Sequence, residues 1–180
     1  MRFIDLVRSR SSCRSFSGKR VSRSALSAVM DAGRLAPSAN NAQPWRFLAV
    51  DADPYLSGVI ESTHVMGMNR FTDTVPSFIV LCEHRPRLAP TVAAHLHRRD
   101  YVSYDLGIAA DHMMLCARTL NLDTCLIGWF SEKKVKQTLR LPPSVIPRLL
   151  LAVGYADGSE PARSKKRMSL QEVSRFYPEE

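Results

Sequence analysis

Hydrophobic and polar positions alternate along the chain with two periods, one helical and one extended. Apolar residues at helical spacing predict helices over Phe3–Val7, from Ser22 to the residue before Pro37, over Pro54–Ser62, over Tyr104–Leu120 and from Ser131 to Leu139. Short apolar runs predict strands over Trp45–Val50, Phe78–Cys82, Thr124–Ile127 and Leu149–Val153. The interleaving predicts a mixed α/β or α+β fold, in which one sheet is covered by helices.

The length of 180 residues predicts a single domain over residues 1–180. No apolar run approaches the ~18 residues of a membrane helix. The sequence contains neither a Gly-x-Gly-x-x-Gly turn after a strand nor a P-loop, which argues against Rossmann and P-loop nucleotide sites. The four cysteines have no zinc-like spacing, and Met1 leads directly into an amphipathic segment. We therefore expect reduced thiols and a cytoplasmic location without membrane contact.

A formal net charge of +8 and a pI near 9.7 favour an anionic partner. Nucleic acid, an acidic membrane surface and a phosphorylated small molecule all satisfy this condition. Two basic stretches are candidates for such contacts, Arg10-Ser11-Ser12-Cys13-Arg14 and Lys165-Lys166-Arg167. Guanidiniums flanking a hydroxyl can hold a phosphate through charge-assisted hydrogen bonds, although Arg/Ser loops are more often simply solvated.

A second candidate is the uncharged polar stretch from Ala36 to Trp45, with the sequence APSANNAQPW. Two prolines restrict its backbone and a tryptophan anchors its end. Asn and Gln side chains offer donor and acceptor together, which suits the edge of a heterocycle. A capped turn between helix and strand is the alternative interpretation, but the combination of residues favours a binding loop.

Taken together, these segments resemble the nitroreductase family of flavoproteins. Arg10-x-Ser12-x-Arg14 is similar to the family's N-terminal phosphate signature, and Pro37-Ser38-x-x-Asn41-x-Gln43-Pro44-Trp45 to its most distinctive motif. Asp105-Leu106-Gly107, the helix after it, Thr124–Phe130 and Leu151–Tyr155 followed by Arg167 match in order over nearly the whole chain. The resemblance implies a largely antiparallel central sheet covered by helices, a homodimer with sites shared across the interface, and FMN as cofactor.

The family pattern also implies a role for individual residues. The FMN phosphate is expected on Arg10, Ser12 and Arg167, with Lys165 beside them. Arg14 is expected at the ribityl chain and the N1/O2 edge of the flavin. The other expected contacts are Pro37, Ser38 and Asn41 from the other subunit's side, Asn69 at the pyrimidine edge, and the backbone N–H groups of Ile127 and Gly128 towards N5 and O4.

The resemblance further implies that no side chain acts as a catalytic acid or base, because the flavin performs the redox chemistry. NADH or NADPH is expected to deliver hydride to flavin N5 in a ping-pong cycle. A nitroaromatic, a quinone or a similar small molecule then accepts it. No metal is expected, because His95, His97 and His112 lack carboxylate or cysteine companions at ligand spacing. The resemblance implies no nucleic acid partner either.

Some segments depart from the family pattern. Asn121-Leu122-Asp123 stands where relatives often have Gly-Leu-Gly, and Ile127 stands where many carry an acidic residue. A backbone contact at Ile127 survives that change. The stretch from His84 to Asp100 matches nothing in the family, and we expect it to contribute to a lid over the pocket.

Three alternatives remain open at this stage. One is a relative of the same fold that consumes reduced flavin or dehalogenates its substrate. Another is a flavin carrier or sensor without turnover. The third belongs to a different class, a basic nucleic-acid-binding protein that tracks a backbone with Arg8, Arg10, Arg14, Lys19 and Arg20.

The phosphate contact predicts the effect of one substitution. Arg10→Ala should weaken FMN binding by on the order of 1.5–3 kcal/mol, the scale of a hydrogen bond to a charged group. The measurement is the FMN dissociation constant of the variant against that of the wild type. An unchanged affinity would remove Arg10 from the site.

Overall fold

The structure, a computed structural model, describes residues 2–84, 100–159 and 165–177. Its helices are α1 (Phe3–Ser9), α2 (Arg23–Arg34), α3 (Tyr55–Thr63), α4 (Tyr101–Thr119), α5 (Glu132–Thr138) and α6 (Leu170–Val173). Its strands are β1 (Trp45–Val50), β2 (Ser77–His84), β3 (Asp123–Ile127) and β4 (Val145–Gly154). Short 3-10 helices cover Ala39–Asn41, Val65–Gly67 and Arg70–Thr74.

The four strands form one sheet in the order β1-β2-β4-β3, and every neighbouring pair is antiparallel. This confirms the expectation of an antiparallel sheet in an α+β fold. The central strands β2 and β4 are buried on both faces over most of their length, whereas β1 and β3 are the edge strands. The edge of β3 is the one that the candidate site uses.

Successive strand residues point to opposite sides of the sheet. Apolar side chains therefore project from both faces, and helices cover both. Ile79 and Leu81 pack in a cluster with α2 and α4. Phe78 and Val80 pack in a second cluster with α3 and α5. The result is a three-layer arrangement, with the central strands contributing to two apolar cores.

Local signals explain where most elements begin. Ser22 Oγ accepts a hydrogen bond from the Ala25 N–H at 3.2 Å and caps α2, and Ser131 Oγ does the same for the Lys134 N–H at 3.3 Å. At the crossing of α2 and α4, a Cβ on Gly33 would lie 2.3 Å from Met113 Cε. Glycine at this position therefore lets the two helices approach closely.

Two elements begin three or four residues before their predicted first residues. Helix α4 begins at Tyr101 instead of Tyr104, because the Asp100 carboxylate accepts the Ser103 N–H at 3.2 Å and caps the helix. Strand β4 begins at Val145 instead of Leu149. The strand tolerates Pro147 because the pairing with β2 shifts register there, opposite Cys82.

The segment after α1, predicted as a loop, forms no helix or long strand, but it carries a deeply buried side chain, Phe16. In the described part of the chain, no helix combines the length and apolarity needed to cross a bilayer. Of the stretch expected to form a lid, residues 85–99 lie outside the described residues, as do His95 and His97.

Candidate functional site

The N-terminal segment after α1 lies along the free edge of β3. Ser12 pairs with Thr124 in parallel orientation, and the Cys13 N–H donates to the Thr124 carbonyl at 2.9 Å. Phe16 then pairs with Ala156 and buries its ring, with 2% of the residue exposed. These contacts fix the segment against the sheet, while Ser12 and its neighbours on either side remain accessible.

Three cations gather where this segment meets the C-terminal tail. Lys165 Nζ donates to the Val7 carbonyl at 2.8 Å. Burial, and then the neighbouring guanidiniums of Arg10 and Arg167, lower the pKa of Lys165. In residues 2–84, 100–159 and 165–177, no carboxylate forms an ion pair with any of the three. Such a cluster of like charges provides a binding site for an anion.

The parallel pairing at Thr124 is a single bridge, and the segment does not continue along β3 from there. Phe16 pairs with Ala156, which lies beyond Gly154, the residue of β4 opposite Asp123 at the beginning of β3. Arg14, between these two contacts, is exposed and close enough to Cys125 to oppose the burial that raises the pKa of that thiol. Four residues of extended chain separate Thr124 from Gly128, a distance of about 13 Å. One edge of the sheet therefore presents the N-terminal segment at Thr124 and the backbone after β3 at Gly128.

The backbone at the end of β3 faces open space. The Ile127 side chain packs into the core on the α3 and α5 side, with 4% of the residue exposed. Gly128 is exposed, and a Cβ built on it would meet only Leu149 Cδ2, at 3.9 Å, within 4 Å. At Gly128 the backbone is therefore the group that a flat ligand can contact, whereas Ile127 is buried.

Asn69 belongs to the same region. Its Nδ2 donates to the Trp129 carbonyl at 3.0 Å and to the Thr63 carbonyl at 3.3 Å. Asn69 has φ 55°, in the left-handed region that asparagine tolerates better than most residues. The structure therefore places Asn69 beside the segment after β3, as the sequence-based assignment requires.

The loop Pro37–Trp45 is held by its own polar groups and by α4. Ser38 Oγ accepts the Gln43 N–H at 3.0 Å, and Gln43 Nε2 donates to Asn41 Oδ1 at 3.2 Å. The Ala39 N–H donates to Asp105 Oδ1 at 3.1 Å. Asp105, which is 5% exposed, was not among the predicted site residues. A carboxylate on the apolar face of a predicted helix is the signal that could have identified it.

Within one chain this loop is far from the cation cluster. Asp105 anchors the loop near the beginning of α4, whereas Arg118 near the end of α4 donates to Ser9 Oγ, next to Arg10. Thirteen residue steps of helix separate Asp105 from Arg118, which is about 20 Å. One chain therefore brings together Arg10, Lys165 and Arg167, with Ser12 and Arg14 on the same segment as Arg10. It also joins Asn69 to Trp129, the residue after Gly128, but it leaves Pro37, Ser38 and Asn41 elsewhere.

The described part of the chain contains no group of three or more His, Cys, Asp or Glu residues arranged to hold a metal. No disulfide joins Cys13, Cys82, Cys116 or Cys125, all of which lie in the described residues. The described histidine of the three considered above, His112, is half-buried in α4.

Comparison with known proteins places this geometry in a family. The sequence profile of the family described as "Nitroreductase family" matches residues 7–57 and 55–155. The oxygen-insensitive NADPH nitroreductase of Helicobacter pylori strain 26695 is 25% identical, over 92% of this chain and 97% of that protein. The iodotyrosine dehalogenase 1 homolog of Caenorhabditis elegans is 21% identical, over 97% of this chain and 61% of that protein.

Solved structures show the same fold. A nitroreductase family protein from Clostridium difficile 630 superimposes with a TM-score of 0.81 at 25% identity, covering 98% of this chain and 99% of that one. A nitroreductase family protein from Streptococcus pneumoniae TIGR4 gives 0.82 at 20% identity, covering 97% and 100%. An FMN-dependent nitroreductase from Clostridium difficile R20291 gives 0.74 at 22% identity, covering 97% and 99%. With the profile match spanning most of the chain, the protein belongs to the nitroreductase family.

Proposed function

We propose that this protein is an FMN-dependent oxidoreductase that transfers hydride from NAD(P)H to a nitroaromatic, a quinone or a similar small acceptor. Family membership and the named activity of the Helicobacter relative support NAD(P)H-dependent oxidoreductase chemistry. The observation that carries the proposal is the edge of β3. There, the structure places three cations without a carboxylate partner among the described residues, an exposed arginine close to Cys125 and an open backbone at Gly128.

The residues present fit FMN in one orientation. Arg10, Ser12, Lys165 and Arg167 would hold the phosphate, because each offers an exposed or partly exposed donor at the cluster. Arg14, which lies close to Cys125 of β3, would reach the ribityl chain and the N1/O2 edge of the flavin. The remaining contacts would come from the backbone of Ile127 and Gly128 and from Asn69 at the pyrimidine edge.

When bound, FMN supplies the two-electron chemistry, by accepting hydride at N5 and passing it on. The protein's own groups bind and orient, and no side chain is assigned as an acid or base. The Arg14 guanidinium forms no ion pair with a carboxylate of the described residues, so its charge is available to the ligand. A cation at this edge favours negative charge on the ring and should raise its reduction potential.

We also propose that the protein works as a homodimer whose sites lie across the interface. Pro37, Ser38 and Asn41 are about 20 Å of helix away from the cation cluster of their own chain, so a second copy would have to supply them. Large apolar side chains are also exposed on α1, on α4 and in the tail: Phe3 (69%), Tyr104 (60%) and Phe176 (87%). Exposed apolar groups of this kind favour association.

The second candidate is a protein of the same fold that either consumes reduced flavin or uses it to dehalogenate a substrate. The similarity to the Caenorhabditis dehalogenase homolog favours this candidate. Such a protein would share the fold and the phosphate cluster. It would differ in the tightness of flavin binding and in the molecule that reacts with the flavin. The spectrum of the purified protein distinguishes the two candidates.

The purified protein should show flavin absorption bands near roughly 370 and 450 nm that bleach on anaerobic addition of NADPH or NADH. A colourless protein that binds added reduced FMN would favour the second candidate. Bound FMN that neither nucleotide bleaches would indicate a carrier or sensor. If FMN neither co-purifies nor binds, the oxidoreductase proposal fails, and a salt-dependent shift of labelled DNA or RNA becomes the next test.

Binding of inorganic phosphate to the FMN-free protein should depend on Lys165. Because burial and like charges lower its pKa, the ammonium loses its proton at a lower pH than an ordinary lysine. The affinity for phosphate should be highest below that lowered pKa and should fall as the pH rises through it. Lys165→Arg stays charged, so its affinity should persist over the same pH range. Calorimetric titrations at constant ionic strength measure both, and identical pH profiles would contradict the assignment.

The mass in solution tests the dimer. Light scattering should give about twice the 20.2 kDa of one chain at micromolar concentration. A mass of one chain in protein that still binds FMN would mean that Pro37, Ser38 and Asn41 do not contribute from a partner. The expected pairing would then be wrong while the cofactor assignment stands.

A further inference from the structure

Asn69 joins two parts of the chain that are distant in sequence. Its side-chain amide donates to the Thr63 carbonyl at the end of α3 and to the Trp129 carbonyl just after β3. Both amide hydrogens therefore have acceptors in the protein, and Asn69 Oδ1 is the group left for a ligand. The bond to Trp129 spans 60 residues of sequence and ties the exposed Gly128–Trp129 backbone to α3.

Thr72 makes two hydrogen bonds to the backbone of Asn69. Its Oγ1 donates to the Asn69 carbonyl at 2.8 Å, and its backbone N–H donates to the same oxygen at 3.0 Å. The hydroxyl also lies 2.8 Å from Thr63 Oγ1 and 3.3 Å from His64 Nε2. Thr72 has no exposed surface, so water does not replace any of these contacts.

His64 extends this network towards the surface. Its Nε2 lies 3.1 Å from Asp73 Oδ1, on the residue that follows Thr72. A separate bond, from the Ser131 N–H to the Ser62 carbonyl at 2.8 Å, ties the chain beyond Trp129 to the same end of α3. Two connections therefore hold the segment after β3, and one of them passes through Asn69.

We propose that Thr72 is a positioning residue for flavin chemistry. By fixing the left-handed conformation of Asn69, it holds the Trp129 carbonyl and so sets where the Gly128 backbone meets the cofactor. The proposal rests on the proposed function for the identity of the ligand. In this role the buried Thr72 hydroxyl would not touch the ligand itself, but it would set the position of the Gly128 backbone, which does.

The hydroxyl is required because no apolar group of the same shape can replace its hydrogen bonds. Thr72→Val keeps the branched shape but removes the hydroxyl, which is one of the two donors to the Asn69 carbonyl and the partner of Thr63 Oγ1; the donor that remains is the Thr72 N–H. Thr72→Ser keeps the oxygen and loses one methyl group. Thr74→Val is the matched control, because Thr74 lies in the same short helix, is exposed, and donates only to the nearby Phe71 carbonyl.

The state of the segment can be read without cofactor. Trp129 is 54% exposed, whereas the chain's other tryptophan, Trp45, is 5% exposed, so iodide quenching reports chiefly on Trp129. In FMN-free protein, Thr72→Val should increase quenching and should speed amide exchange of residues 128–131 by roughly tenfold, the scale of one lost hydrogen bond. Thr72→Ser and Thr74→Val should remain close to the wild type.

The same variants loaded with FMN test the positioning role. Thr72→Val should weaken FMN binding by several-fold and shift the flavin absorption band and midpoint potential, and Thr72→Ser should restore all three. Normal exchange at residues 128–131 in Thr72→Val would overturn the proposal. So would faster exchange with an unchanged flavin spectrum and potential, which would leave Thr72 with a structural role alone.

If Thr72→Val does not fold, Asn69→Asp is measured in its place, because a carboxylate keeps the acceptor oxygen but cannot donate to the Thr63 and Trp129 carbonyls. Unchanged exchange in that variant would equally overturn the proposal. If wild-type protein binds no FMN, the proposed function fails, whereas the exchange measurement still decides whether Thr72 holds the segment.

Discussion

The candidate site depends on the pairing of a short N-terminal segment with the free edge of β3. Ser12 opposite Thr124 and the bond from the Cys13 N–H hold this segment parallel to the strand. Without that pairing, the arginines on either side of Ser12 would be ordinary solvated residues of a polar loop. With it, they are held beside β3, where both guanidiniums influence Cys125. The buried ring of Phe16 supplies the apolar contact that the rest of the segment lacks.

Electrostatics gives that edge its preference for an anion. Burial, and then the neighbouring charges of Arg10 and Arg167, lower the pKa of Lys165. Some other arginines pair with carboxylates, for example Arg23 with Asp51 and Arg148 with Glu83. Within the described residues the cluster has no such neutralising carboxylate. A bound phosphate would remove the repulsion, so ligand binding and stability should be coupled at this site.

The polar loops around the site use most of their hydrogen-bonding groups on themselves. Ser38 and Gln43 bond within the 37–45 loop, Asp105 anchors that loop to α4, and Asn69 bonds two backbone carbonyls. Such internal bonding fixes loops in unusual backbone conformations and leaves a few groups directed outwards. It also explains why a site of this kind can be precise although little of it lies within helices or strands.

The sequence by itself determined the fold class and most elements, because periodicity, caps such as Ser22 and buried runs such as Phe78–Cys82 are local signals. The motif beginning at Arg10 also carries part of the family resemblance from which the phosphate residues are predicted. Local signals could not predict that β4 begins at Val145, before Pro147, since the register shift opposite Cys82 is a property of the pair of strands. They could not reveal the roles of Asp105 and Thr72 either, because those roles are contacts with Ala39 and Asn69. Only the tertiary structure decided that Arg10, Lys165 and Arg167 meet while Pro37–Asn41 lies at the other end of α4, because such distances depend on how the elements pack.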